Sequence, residues 1–573
     1  MVGQLNLARE VDKSEKVSPF EAVRPHGRGV EVLVNGHWSQ LRQIGDIPAH
    51  ELILAAEQKY ESLWLKRLSE DIPRVFYENG HVLVSPITVV LVDEGGEHSI
   101  ELVCTEEKRR SALAYNRSHS ATRMPDVNDG TVLRRLLETR FSYWDLVVDN
   151  PDWVMEPLME ASNRAPDLWE FELAISMTLA RVGDGHTRTR RPVSALLSDL
   201  RVSTGLQPCF LPFAVVPLAG DRLVAVEPEC GLVDEDHPYL LEIDSLPVEK
   251  WVAATRVLVP TVSAQLTAAL TSVLLGNVDW LRTRLGLPAS EFVTFTLGDG
   301  AGGYRTNRLP GKLAPIRQPQ RSRDQIQILD ENVGYMAIPT SSGSIETILA
   351  ALDGFRETEG LLIDLRGNRG GTRDLVHRLC PFVLDPDQPS VVYNVAAKRL
   401  FPGESPDMHG LLDDRRLFPA YSDHHDSAAQ LAIHKLAATF KPEWHPPSES
   451  FSDWRYGTIA PGMAPWHYLK PVVVITDEWC FSAAEILTTA LRMSPRVLQV
   501  GGPTGGGSGR PIQYVLPSSL VQVQISSMAS FRPNGNLYEK RGVEPDHIVE
   551  PGPYDAAGLS DSVLEAAKAM VLS

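Results

Sequence analysis

The run Val472-Val-Val-Ile475 is unbroken and β-branched, so it reads as a strand buried on both faces and is too short to cross a membrane. Thr476 to Glu478 end it, and a helix begins at Ser482. Ala483, Ile486, Leu487, Ala490 and Leu491 give that helix one apolar face. A strand that turns tightly into a helix places Ser482 at the carboxyl end of a sheet, where α/β enzymes keep their chemistry. Two readings compete for it. Ser482-Ala-Ala-Glu485 fits a capping box, which satisfies free N–H groups at a helix start. Alternatively, Ser482 is a nucleophile whose acyl oxyanion is received by N–H groups of the same helix terminus.

Bulk properties narrow the function. A length of 573 residues points to about three to four domains, and 43% apolar content supports ordinary cores. A net charge of −18 argues against a nucleic-acid surface, and Arg188 to Arg191 is too short a basic run to reverse that. Five widely spaced cysteines suit reduced thiols in a cytoplasmic chain. Met1 to Phe20 lacks the apolar core of a signal peptide, and no stretch is long enough to span a bilayer. The expectation is a soluble cytoplasmic protein with no membrane partner and no cofactor.

In chain order, residues 1–125 read as an N-terminal α+β extension. Its strands are Val30–Val34, Val75–Tyr77 and Val82–Val92, with a helical stretch over His50–Leu68. Residues 126–200 read as a helical region ending in Arg181-Val-Gly-Asp-Gly-His-Thr-Arg188, a turn that exposes His186. On residue type alone a histidine in such a turn is solvated. Residues 205–312 read as β-rich, with strands at Leu223–Val226, Tyr239–Asp244 and Phe292–Leu297 and a helix at Ser263–Leu275. That order resembles a PDZ domain, which takes a peptide by strand addition to a sheet edge.

A polar linker, Gln318 to Arg323, leads to residues 323–573. There Val333–Ile338, a helix at Ser344–Phe355 and Gly360–Arg366 alternate as a βαβ core. Residues 386–465 interrupt it and read as an insertion, a candidate lid. His424-His425-Asp426 within it reads as solvated loop, because metal-ligand spacing is lacking. No metal site is expected.

Four separated segments carry a family pattern: Leu362-Ile-Asp-Leu-Arg-Gly-Asn-Arg-Gly-Gly371, Phe481-Ser-Ala-Ala-Glu485, Gly501-Gly-Pro-Thr-Gly-Gly-Gly507 and Arg541-Gly-Val-Glu-Pro-Asp546. Their order resembles the tail-specific, or carboxyl-terminal-processing, serine proteases over residues 128 to 555. The resemblance implies an α/β multidomain fold with a ClpP/crotonase-like core acting on a peptide or unfolded protein, and is compatible with a homo-oligomer. The family's Ser–Lys dyad is missing, because Gly507 stands in the Lys position and Gly502 in that of the preceding Glu. A tricorn-like pattern fits better, with His186 as the histidine and Glu539 as the carboxylate. Gly185 replaces the serine expected before the histidine.

The resemblance therefore implies Ser482 as nucleophile, His186 as base and Glu539 as its orienting carboxylate. Ala483, with Gly370 or Gly371, would supply the oxyanion hole. A hydroxyl needs an adjacent base at neutral pH, and His186 is the candidate with a suitable ordinary pKa. The alternative is a catalytically degenerate relative that binds a peptide or apolar ligand.

Overall fold

The computed structural model describes residues 9–26, 29–60, 64–93, 95–120, 127–164, 168–193, 196–197, 209–318 and 325–573. Most of the Gln318–Arg323 linker and residues 205–208 lie outside them. Two compact units result, one of residues 1–133, 160–172 and 514–523, the other of the remainder.

In the first unit, Ala22–His26, Gly29–Val34, His37–Ile44, Ile87–Asp93 and Gly96–Leu102 form an antiparallel sheet in that order. Alternation does the work: Val30, Val32 and Val34 face the core while their neighbours are half-buried. Val75–Tyr77 is not a strand. It lies in the helix Ile72–Glu78, where Pro73 sits in the first turn and Ile72, Val75 and Phe76 bury one face. The stretch His50–Leu68 contains two helices, Ala49–Tyr60 and Trp64–Glu70.

The second unit holds an antiparallel sheet of β1 (Ala214–Pro217), β2 (Leu223–Val226), β3 (Tyr239–Ile243), β4 (Phe292–Gly298) and β5 (Tyr304–Pro310). Between β3 and β4 run α1 (Val248–Thr255), α2 (Ala264–Leu275) and α3 (Val278–Leu285). Trp251, Leu274 and Leu281 from these helices share one core with Ile243 and Phe295.

The largest sheet follows. Its strands are β6 (Ile326–Leu329), β7 (Val333–Ala337), β8 (Gly360–Asp364), β11 (Val472–Thr476), β12 (Val497–Gly501) and β14 (His547–Ile548), hydrogen-bonded in that order. Only β6 is antiparallel to its neighbour. Every residue of β7, β8 and β11 is buried, as strands covered on both faces require. The helix α4 (Ile345–Gly354) links β7 to β8, and α7 (Ala483–Leu491) links β11 to β12. Parallel pairing of β8 with β11 brings the loops after both strands to one edge of the sheet.

Residues 386–465, the segment read as an insertion, carry regular structure. They hold β9 (Val391–Lys398), α6 (Ser427–Ala437) and β10 (Arg455–Ile459). β9 pairs with β10 on one side and with β13 (Met528–Phe531) on the other, forming a second antiparallel sheet. β9 and β10 are separated by more than fifty residues of turn-rich chain and find each other only in space. His425 is 4% exposed rather than solvated, and His424 stacks on Phe418 at 4.1 Å. No helix among the described residues is long and apolar enough to cross a membrane.

Candidate active site

Ser482 does not cap its helix. It sits between β11 and α7 with φ +60° and ψ −118°, and its hydroxyl makes no capping hydrogen bond. A positive φ is costly for a residue with a Cβ and persists only where the surroundings over-determine it. They do so here. Ser482 N–H donates to Gly507 O at 3.0 Å, Ser482 O accepts from Glu485 N–H at 3.1 Å, and the preceding Phe481 N–H donates to Asn368 O at 3.0 Å. Asp477 Oδ1 accepts from Gly367 and Trp479 N–H at 2.8 and 3.0 Å, tying the loops after β8 and β11 together. Glu485, the other half of the supposed capping box, turns away. Its fully buried carboxyl accepts from Gly506 N–H and, at 3.1 Å, from Gly507 N–H. Burial pushes its pKa up to about 8 despite those donors.

The glycines around this turn have steric reasons. At Gly370, φ +95°, a Cβ would lie 2.8 Å from Ala483 N and from Ser482 Cβ; at Gly371, φ +143°, it would lie 2.2 Å from Ser342 Oγ. Gly370 N–H is already engaged by Asn368 Oδ1 at 2.9 Å. Of the three N–H groups expected at an oxyanion hole, Ala483 and Gly371 remain without a described acceptor.

His186 is buried, 7% exposed, not held out in a turn. The helix Leu168–Arg181 ends at Gly183, φ +66°, and the next residues fold inward because Asp184 organises them. The Asp184 carboxylate accepts from His186 N–H at 3.1 Å, from Ser526 Oγ at 2.5 Å and from Thr187 Oγ1. Gln524 Nε2 donates to His186 O at 2.8 Å. The imidazole stacks on Phe481 with ring centroids 4.5 Å apart, its Nδ1 lies 4.0 Å from Asp184 Oδ1, and neither ring nitrogen is hydrogen-bonded to a described residue. The Ser482 hydroxyl is therefore close in chain to the ring that His186 touches, but is not bonded to it. Burial lowers the His186 pKa to about 4, with Asp184 opposing and Arg188 and Arg415 assisting. The imidazole is neutral at pH 7.

Glu539 is also buried, 4% exposed, and accepts no hydrogen bond from a described donor. Burial first, then the neighbouring Asp184 and Glu485 carboxyls, raise its pKa well above the carboxylate range. A proton kept by Glu539 would be shared with Asp184. Phe481 bears on two of the three departures, those at Gly185 and Gly507. A Cβ at Gly185 would lie 2.6 Å from its ring, and one at Gly507 2.4 Å from its ring and 3.3 Å from Glu539 Oε2. The ring fills the room that a serine before the histidine, or a lysine at 507, would need. Asp184 and Phe481, which contact His186 here, were given no part in the sequence reading; Asp184, two places before His186, was the legible one.

Two loops outside the core reach this region. Ser263 Oγ donates to Gly505 O at 2.6 Å, and Gln265 Nε2 donates to Thr504 O at 2.6 Å, so α2 braces the glycine loop. Asp414, from the segment between β9 and β10, pairs with Arg510 at 3.0 Å. On β1, Val215 O accepts from Gln318 Nε2 at 2.7 Å, and the same amide donates to Ser272 Oγ on α2 at 3.0 Å. No group of three or more His, Cys, Asp or Glu among the described residues is placed to hold a metal ion.

Comparison with known proteins gives this geometry a context. Residues 332–549 match the model of peptidase family S41. The carboxy-terminal processing protease CtpB of Bacillus subtilis (strain 168) is 28% identical over 247 residues, 43% of this chain and 39% of that protein. The match thus spans about two fifths of the curated relative's length. An uncharacterized protein of Chlamydia muridarum (strain MoPn / Nigg) is 33% identical over 86 residues, 15% of this chain and 14% of that one. Among solved structures, mature CPAF complexed with lactacystin aligns with a TM-score of 0.52 at 16% identity, covering 78% of this chain and 97% of that chain. That likeness is one of fold.

Proposed function

Through its peptidase family S41 domain, residues 332–549, the chain is a member of the tail-specific protease family, and on that premise we propose that it is a serine peptidase using a histidine rather than a lysine as base. Ser482 is the nucleophile. The observation that carries this reading is its backbone: a non-glycine residue at φ +60°, freed from capping, at the carboxyl edge of a parallel sheet, followed by the unengaged N–H of Ala483.

His186, neutral at pH 7, takes the Ser482 proton as the hydroxyl attacks the scissile carbonyl, and returns it to the leaving amine. Ala483 and Gly371 N–H receive the oxyanion. Asp184 is the carboxylate nearest the imidazole Nδ1 and stabilises the imidazolium as it forms; Glu539 stands behind Asp184 as a proton-sharing partner. Because His186 and Ser482 are not yet hydrogen-bonded, substrate binding closes that gap, as catalytic contacts commonly tighten in the complex. The module of β1–β5 and α1–α3 presents peptides, PDZ-like, to an endopeptidase site whose glycine loop it braces.

The test is fluorophosphonate labelling of the full chain followed by peptide mapping. Modification of Ser482, lost in His186→Ala, is expected. A folded protein that binds peptides while Ser482 stays unmodified would make this a binding relative of the family instead.

A further inference from the structure

The two oxygens of the Asp184 carboxylate are used differently. Oδ1 accepts from His186 N–H at 3.1 Å and lies 4.0 Å from the imidazole Nδ1, too far to bond it. Oδ2 takes two hydroxyl protons, from Ser526 Oγ at 2.5 Å and from Thr187 Oγ1. The Thr187 oxygen in turn accepts from Ser526 N–H at 3.1 Å. As donors the two hydroxyls are alike, but their oxygens face different things. Ser526 ends the strand Gln522–Ser526 and is fully buried. A Cβ at Gly509 would lie 2.1 Å from Ser526 Oγ and 3.4 Å from His186 Nδ1. The hydroxyl and the ring nitrogen therefore border one small space, which the glycine keeps open. Gly509 does not have a positive φ, so room rather than backbone conformation is its reason to be there. Its carbonyl is pinned beside the strand end, accepting from Ser527 and Met528 N–H at 2.8 and 3.0 Å.

A neutral imidazole that is to receive a proton on Nε2 carries its own on Nδ1, and that buried N–H needs an acceptor. Ser526 Oγ gives its only proton to Asp184, which leaves its lone pairs free to accept one. We infer that Ser526 is the positioning residue of the base: its hydroxyl, anchored on Asp184, receives the Nδ1–H of His186 in a chain Nδ1–H···Oγ–H···Oδ2. No proton crosses this chain. Nδ1 and Oγ each keep their own, while the Ser482 proton goes to Nε2 and from there to the leaving amine. The hydroxyl lets Asp184 act on a ring that it does not touch, because a hydrogen bond to a carboxylate polarises the next one along. Neither ring nitrogen is bonded in the free protein, so one movement of a rigid ring serves both: Nε2 reaches Ser482 and Nδ1 reaches Ser526. The role rests on the peptidase reading for its purpose, whereas the tautomer it fixes exists without turnover.

The test reads the tautomer directly, by ¹⁵N NMR at neutral pH of the full chain labelled at histidine, with His186→Ala identifying the signal. The wild type should hold its proton on Nδ1. Ser526→Ala should move part of that proton to Nε2 and lower kcat by about tenfold to a hundredfold with KM nearly constant, the worth of one hydrogen bond to a charged group. Ser526→Cys, close in size and with a weakly accepting sulfur, should do the same if the alanine variant folds poorly. Thr187→Val removes the other donor to Oδ2; it should lower the melting temperature and keep the wild-type tautomer, which separates positioning the ring from supporting Asp184. A wild-type proton on Nε2, or one that moves equally in Thr187→Val, would overturn the assignment. So would a tautomer that responds to Glu539→Gln and not to the Ser526 variants, because Glu539 would then be the acceptor. A tautomer that follows Ser526 in a protein that cleaves nothing would uphold the positioning role and remove the peptidase. Cleavage with a tautomer indifferent to Ser526 would do the reverse.

Discussion

The two halves of the candidate site are held in opposite ways. Around Ser482 the backbone does the holding: N–H and C=O groups of residues 481, 482 and 485 are matched to Asn368, Gly507 and one another, and glycines stand wherever a Cβ would collide. Around His186 the backbone is equally anchored, through Asp184 and Gln524, but the ring stacks on an aromatic face and has both nitrogens without a hydrogen-bond partner among the described residues. A buried polar group without a partner is expensive, so it marks a place kept for something other than stability. One half is a rigid frame and the other a group poised for a partner.

If that contrast is right, the largest effects come from the reacting groups. Ser482→Ala and His186→Ala should each lower kcat/KM by about 10⁴-fold or more, and together by little beyond either alone, because the two act as a unit. Their melting temperatures should diverge: His186→Ala removes a ring packed on Phe481, whereas Ser482→Ala leaves the frame as it is. Equal losses of stability would break the contrast.

The frame was legible in local sequence signals, whereas His186 was reached only through the family resemblance and its burial not at all. A β-branched run, a helical apolar face and clustered glycines are local signals, and they located β8, β11, α7 and the turn at Ser482. The Ser-x-x-Glu pattern left two readings open because a capping box and a nucleophile turn share residues, and only the position of Gly506 and Gly507 decides where Glu485 points. His186 lies 296 positions from Ser482, and its burial depends on Phe481, Ser526 and Gln524, none of which its own loop announces. The pairing of β9 with β13 is hidden for the same reason. In the first unit, Val75–Tyr77 shows the reverse error: three strand-forming residues lie in a helix because burial of one face overrides propensity.

The frame can be attacked through its glycines. Gly371→Ala places a methyl 2.2 Å from Ser342 Oγ at φ +143°, so the loop must move. If Gly371 N–H is an oxyanion donor, kcat should fall about 10²- to 10³-fold with KM nearly constant, the cost of losing one such donor. Gly507→Lys tests the other departure from the family. Its side chain would meet the Phe481 ring, so it should fail to support turnover in the His186→Ala background and should lower the melting temperature. Restored turnover there would mean that the Phe481 ring yields easily, and the frame is softer than described.

Asp184→Asn probes the link between the halves. The carboxylate that favours the imidazolium is lost, so the His186 pKa should fall further below about 4 and the rate should drop by about tenfold to a hundredfold. In the wild type the acid limb of kcat/KM should lie near pH 4 instead of near 6.5. A limb at 6.5 would show a solvated histidine and dissolve the contrast from the other side.

The smallest effect is on stability, and it separates the halves by sign. His186 has a folded pKa of about 4 against 6.5 unfolded, so the unfolded chain binds more protons between those values and stability rises with pH across them. Glu485 has a folded pKa of about 8 against 4.5 unfolded, so the folded chain keeps the proton and stability falls as pH rises from 4.5 to 8. Between about 4.5 and 6.5 the two slopes oppose each other. Above 6.5 the histidine contribution is complete and the carboxyl contribution alone remains, joined by Glu539, whose raised pKa has the same sign. Melting temperature should therefore drop between pH 6.5 and 8 in the wild type, by ~2–4 °C for each kcal/mol lost. Glu485→Gln, which keeps an oxygen for Gly506 and Gly507 N–H without titrating, should reduce that drop. His186→Ala should leave it unchanged and flatten the rise below pH 6.5. If the two variants exchanged these behaviours, the assignment of a silent, neutral carboxyl to the frame and a neutral, poised imidazole to the opposite half would be wrong.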